Sequence, residues 1–238
     1  MIKLVLISDT HNRHREILLP EGDILVCAGD FSSFGAKQEV VDFSEWLGSL
    51  PFKHKIVVPG NHETSFDAAC HRGARSRKII LDNTTVNVSS SDALGWLTNC
   101  HILIDRALEL EINSRKIKFY GSPYTPEFCG WAFNSTSSEL QEKWKQIPED
   151  AEVIITHGPP LGILDECPPD YPFYDSPGRR VGCKHLLERV LQIKPKLHVF
   201  GHIHHSYGQQ NVNGIHFVNA AICNEQYWPS NPPIVFEL

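Results

Sequence analysis

The stretch "IKLVLISDTH" (residues 2–11) joins an apolar run directly to an aspartate and a histidine. Four later stretches are built in the same way, each an apolar run that ends in glycine or polar residues. They are "DILVCAGD" (23–30), "KIVVPGNH" (55–62), "EVIITHGPP" (152–160) and "LHVFGHIHH" (197–205). Short runs rich in β-branched residues are typical of strands buried on both faces, as in a sheet covered by helices. The five stretches therefore predict a layered α/β domain.

Helices and hairpins are predicted between and after these strands. Apolar residues recur at helical spacing in three segments, which are 37–50, 137–146 and 183–193. Residues 107–123 alternate apolar and polar residues about Asn113-Ser114, and this pattern predicts a hairpin. A second hairpin is predicted near the C-terminus, where Asn213-Gly214 lies between two alternating runs. The hairpins indicate a second, partly antiparallel sheet.

Length and composition favour one globular domain. The chain has 238 residues, 41% of them hydrophobic, and a formal net charge of −6. Nothing in it resembles a linker, so residues 1–238 are expected to form a single domain. The polar region 64–100 and the Pro/Gly-rich region 158–180 are expected to be mobile loops. Because no block of basic residues accompanies the acidic balance, long nucleic acid is not expected as a partner.

The seven cysteines bear on the compartment. They are scattered, and no two of them form a CxxC pair. Such a set argues for reduced thiols and therefore for a cytoplasmic protein. No apolar run approaches the roughly 18 residues of a transmembrane helix, so no membrane span is expected. A homodimer is left open.

Hard and borderline metal ligands follow the predicted strands. In open α/β sheets, ligands bind beyond the carboxyl ends of the strands, so these side chains are expected to converge. The converging set is Asp9, His11, Asp30, Asn61, His157, His202 and His204. Asp9 and His11 are two apart, and on an extended strand both side chains would point to one side. His202 and His204 have the same spacing.

The chemistry of the set indicates its cofactor. Oxygen and imidazole donors without thiolate suit Mn, Fe, Zn, Ni or Co. Seven groups exceed the four or so that one ion needs, and if one carboxylate bridges, two ions receive four protein ligands each. Two divalent ions and two aspartates leave a charge of about +2, which suits a phosphate and a hydroxide. Phosphoester hydrolysis is the reaction that this charge balance favours.

The same residues carry a family resemblance. The motifs "DTH" (9–11), "GD" (29–30), "GNHE" (60–63), "THG" (156–158) and "GHIH" (201–204) resemble, in order and type, those of the calcineurin-like metallophosphoesterases. Across most of the chain the sequence looks more narrowly like the fetal-brain-type metallophosphoesterase-domain proteins. Segments "FYGSPYTPEFCGWAFN" (119–134) and "NPPIVFEL" (231–238) contribute to the narrower likeness.

The resemblance implies a four-layer α-β-β-α sandwich of two mixed sheets flanked by helices. It places one ion on Asp9, His11 and His204 and the other on Asn61, His157 and His202, with Asp30 bridging. His62 is not a ligand in this family but faces the phosphate and the leaving group. One departure concerns "GDFSSFG" (29–35), where protein Ser/Thr phosphatases of the superfamily read GDxxDRG. Phe34 occupies the position at which that motif has its arginine.

These expectations combine into a function. The protein is expected to be a dinuclear-metal-dependent phosphodiesterase, with Mn as the first choice of metal, acting on small phosphodiesters such as cyclic nucleotides. The expected mechanism is attack by a hydroxide that bridges the two ions, with His62 as the catalytic residue. Asn61, His62 and Arg13 are the candidate substrate contacts. The alternatives are a phosphomonoesterase or nuclease on the same site, or a non-catalytic metal-binding scaffold.

Aromatic residues and further basic residues are weaker candidates for substrate contacts. Tyr124, Phe128, Trp131 and Phe133 are candidates for stacking a base, although core packing is the expected role of most of them. Arg15 and the pair Arg179-Arg180 are expected to belong to a solvated face. His205 is expected to point away from the site.

Overall fold

Two mixed sheets stacked face to face form the centre of the fold. The computed structural model describes residues 1–71, 78–81, 84–168 and 179–238. The strands are β1 (Lys3–Ile7), β2 (Ile24–Cys27), β3 (His54–Val57), β4 (Lys78–Leu81), β5 (Thr84–Asn87), β6 (His101–Ile102), β7 (Arg106–Ile112), β8 (Arg115–Ser122), β9 (Thr125–Pro126), β10 (Asn134–Ser135), β11 (Val153–Thr156), β12 (Leu197–Phe200), β13 (Gly208–Val212), β14 (Ile215–Asn219) and β15 (Ile234–Glu237). The helices are α1 (Lys37–Ser49), α2 (Ser90–Leu94), α3 (Ser137–Trp144) and α4 (Lys184–Ile193).

The topology of each sheet combines a parallel centre with antiparallel edges. The first sheet has the order β15-β1-β2-β3-β6, and only β15 is antiparallel to its neighbour. The second has the order β13-β14-β12-β11-β8-β7, with β13 and β7 antiparallel at its edges. Parallel neighbours present their carboxyl ends at one edge of a sheet. Each sheet therefore offers a set of adjacent strand ends to a common site.

Alternating residues of the strands build three apolar layers. Leu4 and Leu6 of β1 face the second sheet, in the same buried cluster as Phe119 and Val199. Val5 and Ile7, which point to the opposite face, pack with the side chains of α1. On the outer face of the second sheet, β11 and β12 residues pack with those of α3 and α4. The architecture is thus α-β-β-α, and the predicted fold class is confirmed.

The elements agree with most of the sequence predictions. All five predicted strands and all three predicted helices are present, and both hairpins form, about Asn113-Ser114 and Asn213-Gly214. The region 64–100 is not simply a loop, because it contains a 3-10 turn, the antiparallel pair β4 and β5, and α2. Residues 72–77 and 82–83 of that region, and 169–178 of the other predicted loop, lie outside the described residues. Within the described part of the chain, no helix is long and apolar enough to cross a membrane.

Candidate active site

The predicted metal ligands lie just beyond the strand ends in an unusual backbone conformation. β1 ends at Ile7, and Asp9 and His11 both have positive φ angles, 53° and 41°. Asp30 and His202 share this left-handed conformation, with φ of 51° and 69°. The prediction that an extended backbone aligns Asp9 with His11 was therefore wrong, because tight turns aim these side chains instead. Non-glycine residues adopt such angles at a cost of about 1–3 kcal/mol each, and such strain clusters at functional sites.

Glycines next to the ligands allow the loops to approach one another. A side chain at Gly60 would collide with the carboxylate and the backbone nitrogen of Asp30. A side chain at Gly201 would collide with Asp9 and Ser8 of the other sheet. Only glycine fits at these positions, so the glycines of the strand-end motifs serve close packing of the site.

The first cluster of donor atoms consists of Asp9, His11 and His204. The Nε2 atom of His204 lies 3.3 Å from Asp9 Oδ1 and 3.3 Å from His11 Nε2. Asp9 Oδ1 is buried and accepts no hydrogen bond from the described residues. A buried carboxylate oxygen facing two imidazole nitrogens, with no proton donor of its own, fits a cation held between the three atoms.

The second cluster contains Asp30, Asn61, His157 and His202. His157 Nε2 lies 2.8 Å from Asn61 Oδ1 and 3.3 Å from Asp30 Oδ2, and the rings of His157 and His202 are 4.9 Å apart. Donor atoms of Asp30 also lie within 4.8 Å of those of His11. Asp30 is therefore situated between the two clusters, and its oxygen and imidazole neighbours fit a second cation.

Backbone groups fix the orientation of these ligands. The Nδ1 of His157 lies 2.9 Å from the carbonyl of Ala28, and that of His204 lies 2.9 Å from the carbonyl of Asn224. Since a carbonyl only accepts, each Nδ1 carries the proton and each Nε2 is left as a ligand atom. The amide of His202 donates to Asp9 Oδ2 in the same way, which leaves Oδ1 to the cluster. The side chains of His157, His204 and Asp9 are thus oriented before any ion arrives.

The electrostatics of the two clusters suit cations. Burial lowers the pKa of both His11 and His202 to about 3, so both imidazoles are neutral and able to coordinate. Burial alone would raise the pKa of Asp9, but the contact with His204 lowers it to about 2, which keeps the carboxylate charged. Burial opposes a charge on His157, yet the Asp30 carboxylate raises its pKa to about 9. The carboxylates therefore attract positive charge to this spot.

Glu63 is a buried carboxylate that the sequence did not identify as important. It accepts hydrogen bonds from the backbone nitrogens of Asp30 (2.9 Å), Ser32 (3.0 Å) and Gly60 (2.6 Å), and from the hydroxyl of Ser32 (2.7 Å). Burial and the nearby Asp30 charge raise its pKa to about 8. Glu63 therefore joins the loop after β2 to the loop after β3 and holds the backbone of Asp30.

We expect Glu63→Gln to destabilise the protein by about 2–4 kcal/mol, because an amide group facing these donors leaves buried N–H groups unpaired. Urea unfolding measures this as a lower midpoint with an unchanged slope. Glu142→Gln is the matched control, since Glu142 pairs with Lys145 on the surface. Equal stability of the Glu63 and Glu142 variants would contradict the proposed role of the buried carboxylate.

His62 is held on three sides beside the clusters. Its Nδ1 lies 2.7 Å from the carbonyl of Ser33, and its ring stacks on Trp131 with centroids 4.2 Å apart and planes at 22°. The edge of His11 packs against it at 4.7 Å. The Nε2 of His62 lies 3.9 Å from Asp30 Oδ2. This orientation leaves the Nε2 atom of His62 for contact with a group bound at the clusters.

A cavity of about 480 Å³ opens over the two clusters. Five of the predicted ligands and His62 line it, as do the aromatic candidates Phe128 and Trp131. His205, which was predicted to point away, also lines the cavity, because the 3-10 turn that begins at His204 places consecutive side chains along its wall. Further lining residues that sequence reasoning missed are Cys129, Cys167, Ile203, Glu225 and Tyr227. Glu225 and Tyr227 belong to the segment after β14. The aromatic residues of "EQYW" (225–228) are the only feature of its sequence that could have indicated a site.

Other predicted contacts lie outside the cavity lining. Arg13 pairs with Glu16 at 3.0 Å, and its guanidinium lies 5.1 Å from the ring of Trp228. Arg15 pairs with Asp42, and Arg180 with Asp165. Tyr124 and Phe133 pack into the apolar layer of α1. A substrate contact by Arg13 stays a prediction.

The chain is similar to known proteins over most of its length. The family model of the calcineurin-like phosphoesterases matches residues 2–206. Human "Metallophosphoesterase domain-containing protein 1" is 42% identical, and the alignment covers 99% of this chain and 71% of that protein. A 3′,5′-cyclic-nucleotide phosphodiesterase of Nostoc is 23% identical over 86% of this chain and 64% of its own length.

A solved structure shows the same fold. Phosphopantetheinyl hydrolase from Mycobacterium tuberculosis superimposes with a TM-score of 0.59 at 16% identity, covering 98% of this chain and 95% of that one. All seven predicted ligands lie within the residues that the family model matches. Members of this family hydrolyse phosphoesters with divalent metal ions, and the two donor clusters are present here. The chain therefore belongs to the calcineurin-like phosphoesterases and is a metal-dependent phosphoester hydrolase.

Proposed function

We propose that this hydrolase is a phosphodiesterase that uses two divalent transition-metal ions, with Mn as the first choice. The observation that carries the proposal is the pair of donor clusters that meet at Asp30 beneath one cavity. One ion would be held by Asp9, His11 and His204. The other would be held by Asn61, His157 and His202, with Asp30 between the two. When bound, such ions supply positive charge for a phosphate and lower the pKa of water.

His62 is proposed to act on the leaving group. Its Nδ1–H donates to the Ser33 carbonyl, so Nε2 is the atom available to the substrate. When the ring carries both protons, Nε2 can donate one to a departing alkoxide. The stack on Trp131 and the edge contact with His11 hold the ring in this orientation. His62 thus supplies the proton for the leaving group, and the two clusters are the site where the phosphate would bind.

The preference for diesters rests on the residue at position 34. Phe34 is 53% exposed and stacks on Trp131 with centroids 5.9 Å apart. No arginine or lysine is among the described residues that line the cavity. A phosphomonoester carries an extra negative charge that a guanidinium would hold by paired hydrogen bonds. A diester has one charge fewer and an additional organic group, which suits this partly aromatic cavity.

We expect bis-p-nitrophenyl phosphate to be hydrolysed faster than p-nitrophenyl phosphate, with Mn supporting the reaction and chelator abolishing it. Phe34→Arg should shift the ratio of kcat/KM values toward the monoester by about 10- to 100-fold, the range of one or two charge-assisted hydrogen bonds. Phe34→Leu controls for loss of the ring without a gain of charge. A wild-type preference for the monoester would favour the phosphomonoesterase alternative.

A cyclic phosphodiester is the substrate class that we would test next. The Nostoc relative is named for hydrolysis of 3′,5′-cyclic nucleotides, and Phe128 and Trp131 line the cavity as candidate stacking partners for a base. Chromatography that measures the release of nucleoside monophosphate from cyclic nucleotides tests this substrate class. The same experiment with short oligonucleotides tests the nuclease alternative.

The proposal extends to the organisation and compartment of the protein. Ligands from residue 9 to residue 204 meet in one site between two sheets that share a core, which supports a single domain over residues 1–238. All seven cysteines are free thiols. Free thiols support a reducing compartment such as the cytoplasm.

A further inference from the structure

The cavity contains one histidine–carboxylate pair that belongs to neither donor cluster. His205 Nδ1 lies 2.8 Å from Glu225 Oε1, and both residues line the cavity. Their side chains are 45% and 34% exposed, so the pair is accessible to a bound molecule. Burial would raise the pKa of Glu225, but hydrogen bonds from its own backbone and from His205 lower it below the ordinary value. Glu225 is therefore a carboxylate at neutral pH.

The position of the pair is fixed by the site itself. The carbonyl of Asn224, directly before Glu225, accepts the Nδ1–H of the ligand His204. His205 directly follows His204 in the same 3-10 turn. One covalent neighbour of the ligand His204 and one residue next to its hydrogen-bond partner therefore form the pair, which places it beside the first cluster. The edge of Tyr227 packs on His11 at 4.7 Å and completes this wall.

The rest of the wall is uncharged. Phe128, Trp131, Ile203 and Tyr227 present aromatic or aliphatic surface to the cavity. Among the described residues of the lining, Glu225 and Asp30 are the carboxylates, and Asp30 belongs to the metal clusters. A substrate group that extends away from the clusters therefore meets apolar surface and one negative charge.

From this arrangement we propose that the Glu225–His205 pair selects the alcohol part of the substrate, favouring neutral or cationic groups and rejecting groups that carry a second phosphate or a carboxylate. The inference rests on the proposed phosphodiesterase function and specifies the substrate class of the same site. Charges a few ångströms apart near a protein surface interact strongly enough to change kcat/KM about tenfold, which is sufficient to rank substrates. The aromatic side chains add attraction for an alkylammonium group.

Three matched diesters test the proposal with Mn-loaded enzyme. Each carries the same p-nitrophenyl leaving group, and the second ester is phenyl, 3-carboxyphenyl or 3-(trimethylammonio)phenyl. We expect kcat/KM to decrease in the order cationic, neutral, anionic. Glu225→Gln, which keeps an oxygen for His205 but removes the charge, should reduce the cationic-to-anionic ratio about tenfold or more. The wild-type ratio should also fall as salt is added, because the charge is partly exposed.

Two controls separate this role from general effects. Glu142→Gln removes one surface carboxylate and should not change the ratio. His205→Gln keeps the Glu225 charge and should retain the cationic preference. An unchanged ratio in Glu225→Gln, or an equal change in Glu142→Gln, would overturn the inference while leaving the phosphodiesterase proposal intact. If the wild type hydrolysed none of the three diesters, the phosphodiesterase proposal would fail, and this inference with it.

Discussion

Asp30→Asn is expected to abolish most of the activity and to lower the metal content from about two ions per chain. Asp30 Oδ2 faces His157 in the second cluster, and its donor atoms also lie near those of His11 in the first. An amide in its place offers a neutral oxygen and a nitrogen that cannot coordinate, so both clusters lose charge. Because metal ions supply several kcal/mol of charge stabilisation in the transition state, the rate should fall by about 10³-fold or more.

The measurement combines metal analysis of the purified protein with kcat/KM on a diester. Asp150→Asn is the matched control, because Asp150 pairs with Lys118 at the surface. Asn61→Ala provides an intermediate case, in which binding of one ion is weakened and excess Mn restores part of the rate, since Asn61 Oδ1 belongs to the second cluster and lies 2.8 Å from His157 Nε2. Two tightly bound ions in Asp30→Asn, or one ion at full occupancy in the wild type, would contradict the shared role of Asp30.

The second large effect is expected for His62→Ala. Its loss should lower the rate on diesters with poor leaving groups by about 10²- to 10⁴-fold, the usual contribution of general acid-base catalysis. The defect should shrink for p-nitrophenolate, which departs without needing a proton. Both ions should remain bound, because the residues of the two ligand sets are unchanged.

A series of aryl diesters with increasing leaving-group pKa measures this effect. The rate should decrease more steeply with the leaving-group pKa in the variant than in the wild type. His185→Gln is the control, since His185 lies on the surface beside Glu188. A uniform loss across the series would indicate an electrostatic contact instead of proton transfer. Loss of an ion in His62→Ala would instead identify His62 as a ligand. Its Nε2 lies 3.9 Å from Asp30 Oδ2, close enough for the two atoms to share an ion.

The strands, and the candidate metal ligands that follow them, could be identified from sequence because both depend on local patterns. Each apolar run is long enough for one buried strand, and each is followed within a few residues by a donor. The helices and hairpins followed from periodicity and turn residues in the same way. The stacking of the two sheets face to face was implied by the family resemblance and not by these local patterns.

The backbone of the site was not predictable in this way. The left-handed angles of Asp9 and Asp30 depend on hydrogen bonds to distant residues, such as the one that the Asp30 amide donates to Glu63. Glu63 itself looks like part of a turn in "GNHE". The four hydrogen bonds that it accepts are visible only in the folded structure. His205 and Glu225 are 20 residues apart, and no pattern in either segment indicates that they meet.

The two donor clusters have a consequence for the whole protein, because each draws on both sheets. Asp9, His11, Asp30 and Asn61 follow strands of the first sheet, whereas His157, His202 and His204 follow strands of the second. An ion held by residues of both sheets would bind the folded protein and not the unfolded chain. At a free concentration of 100 times its Kd, it would add about 2.7 kcal/mol to the free energy of unfolding. Scarcity of metal would then make the protein easier to unfold and to degrade by proteases, in addition to lowering its catalytic rate.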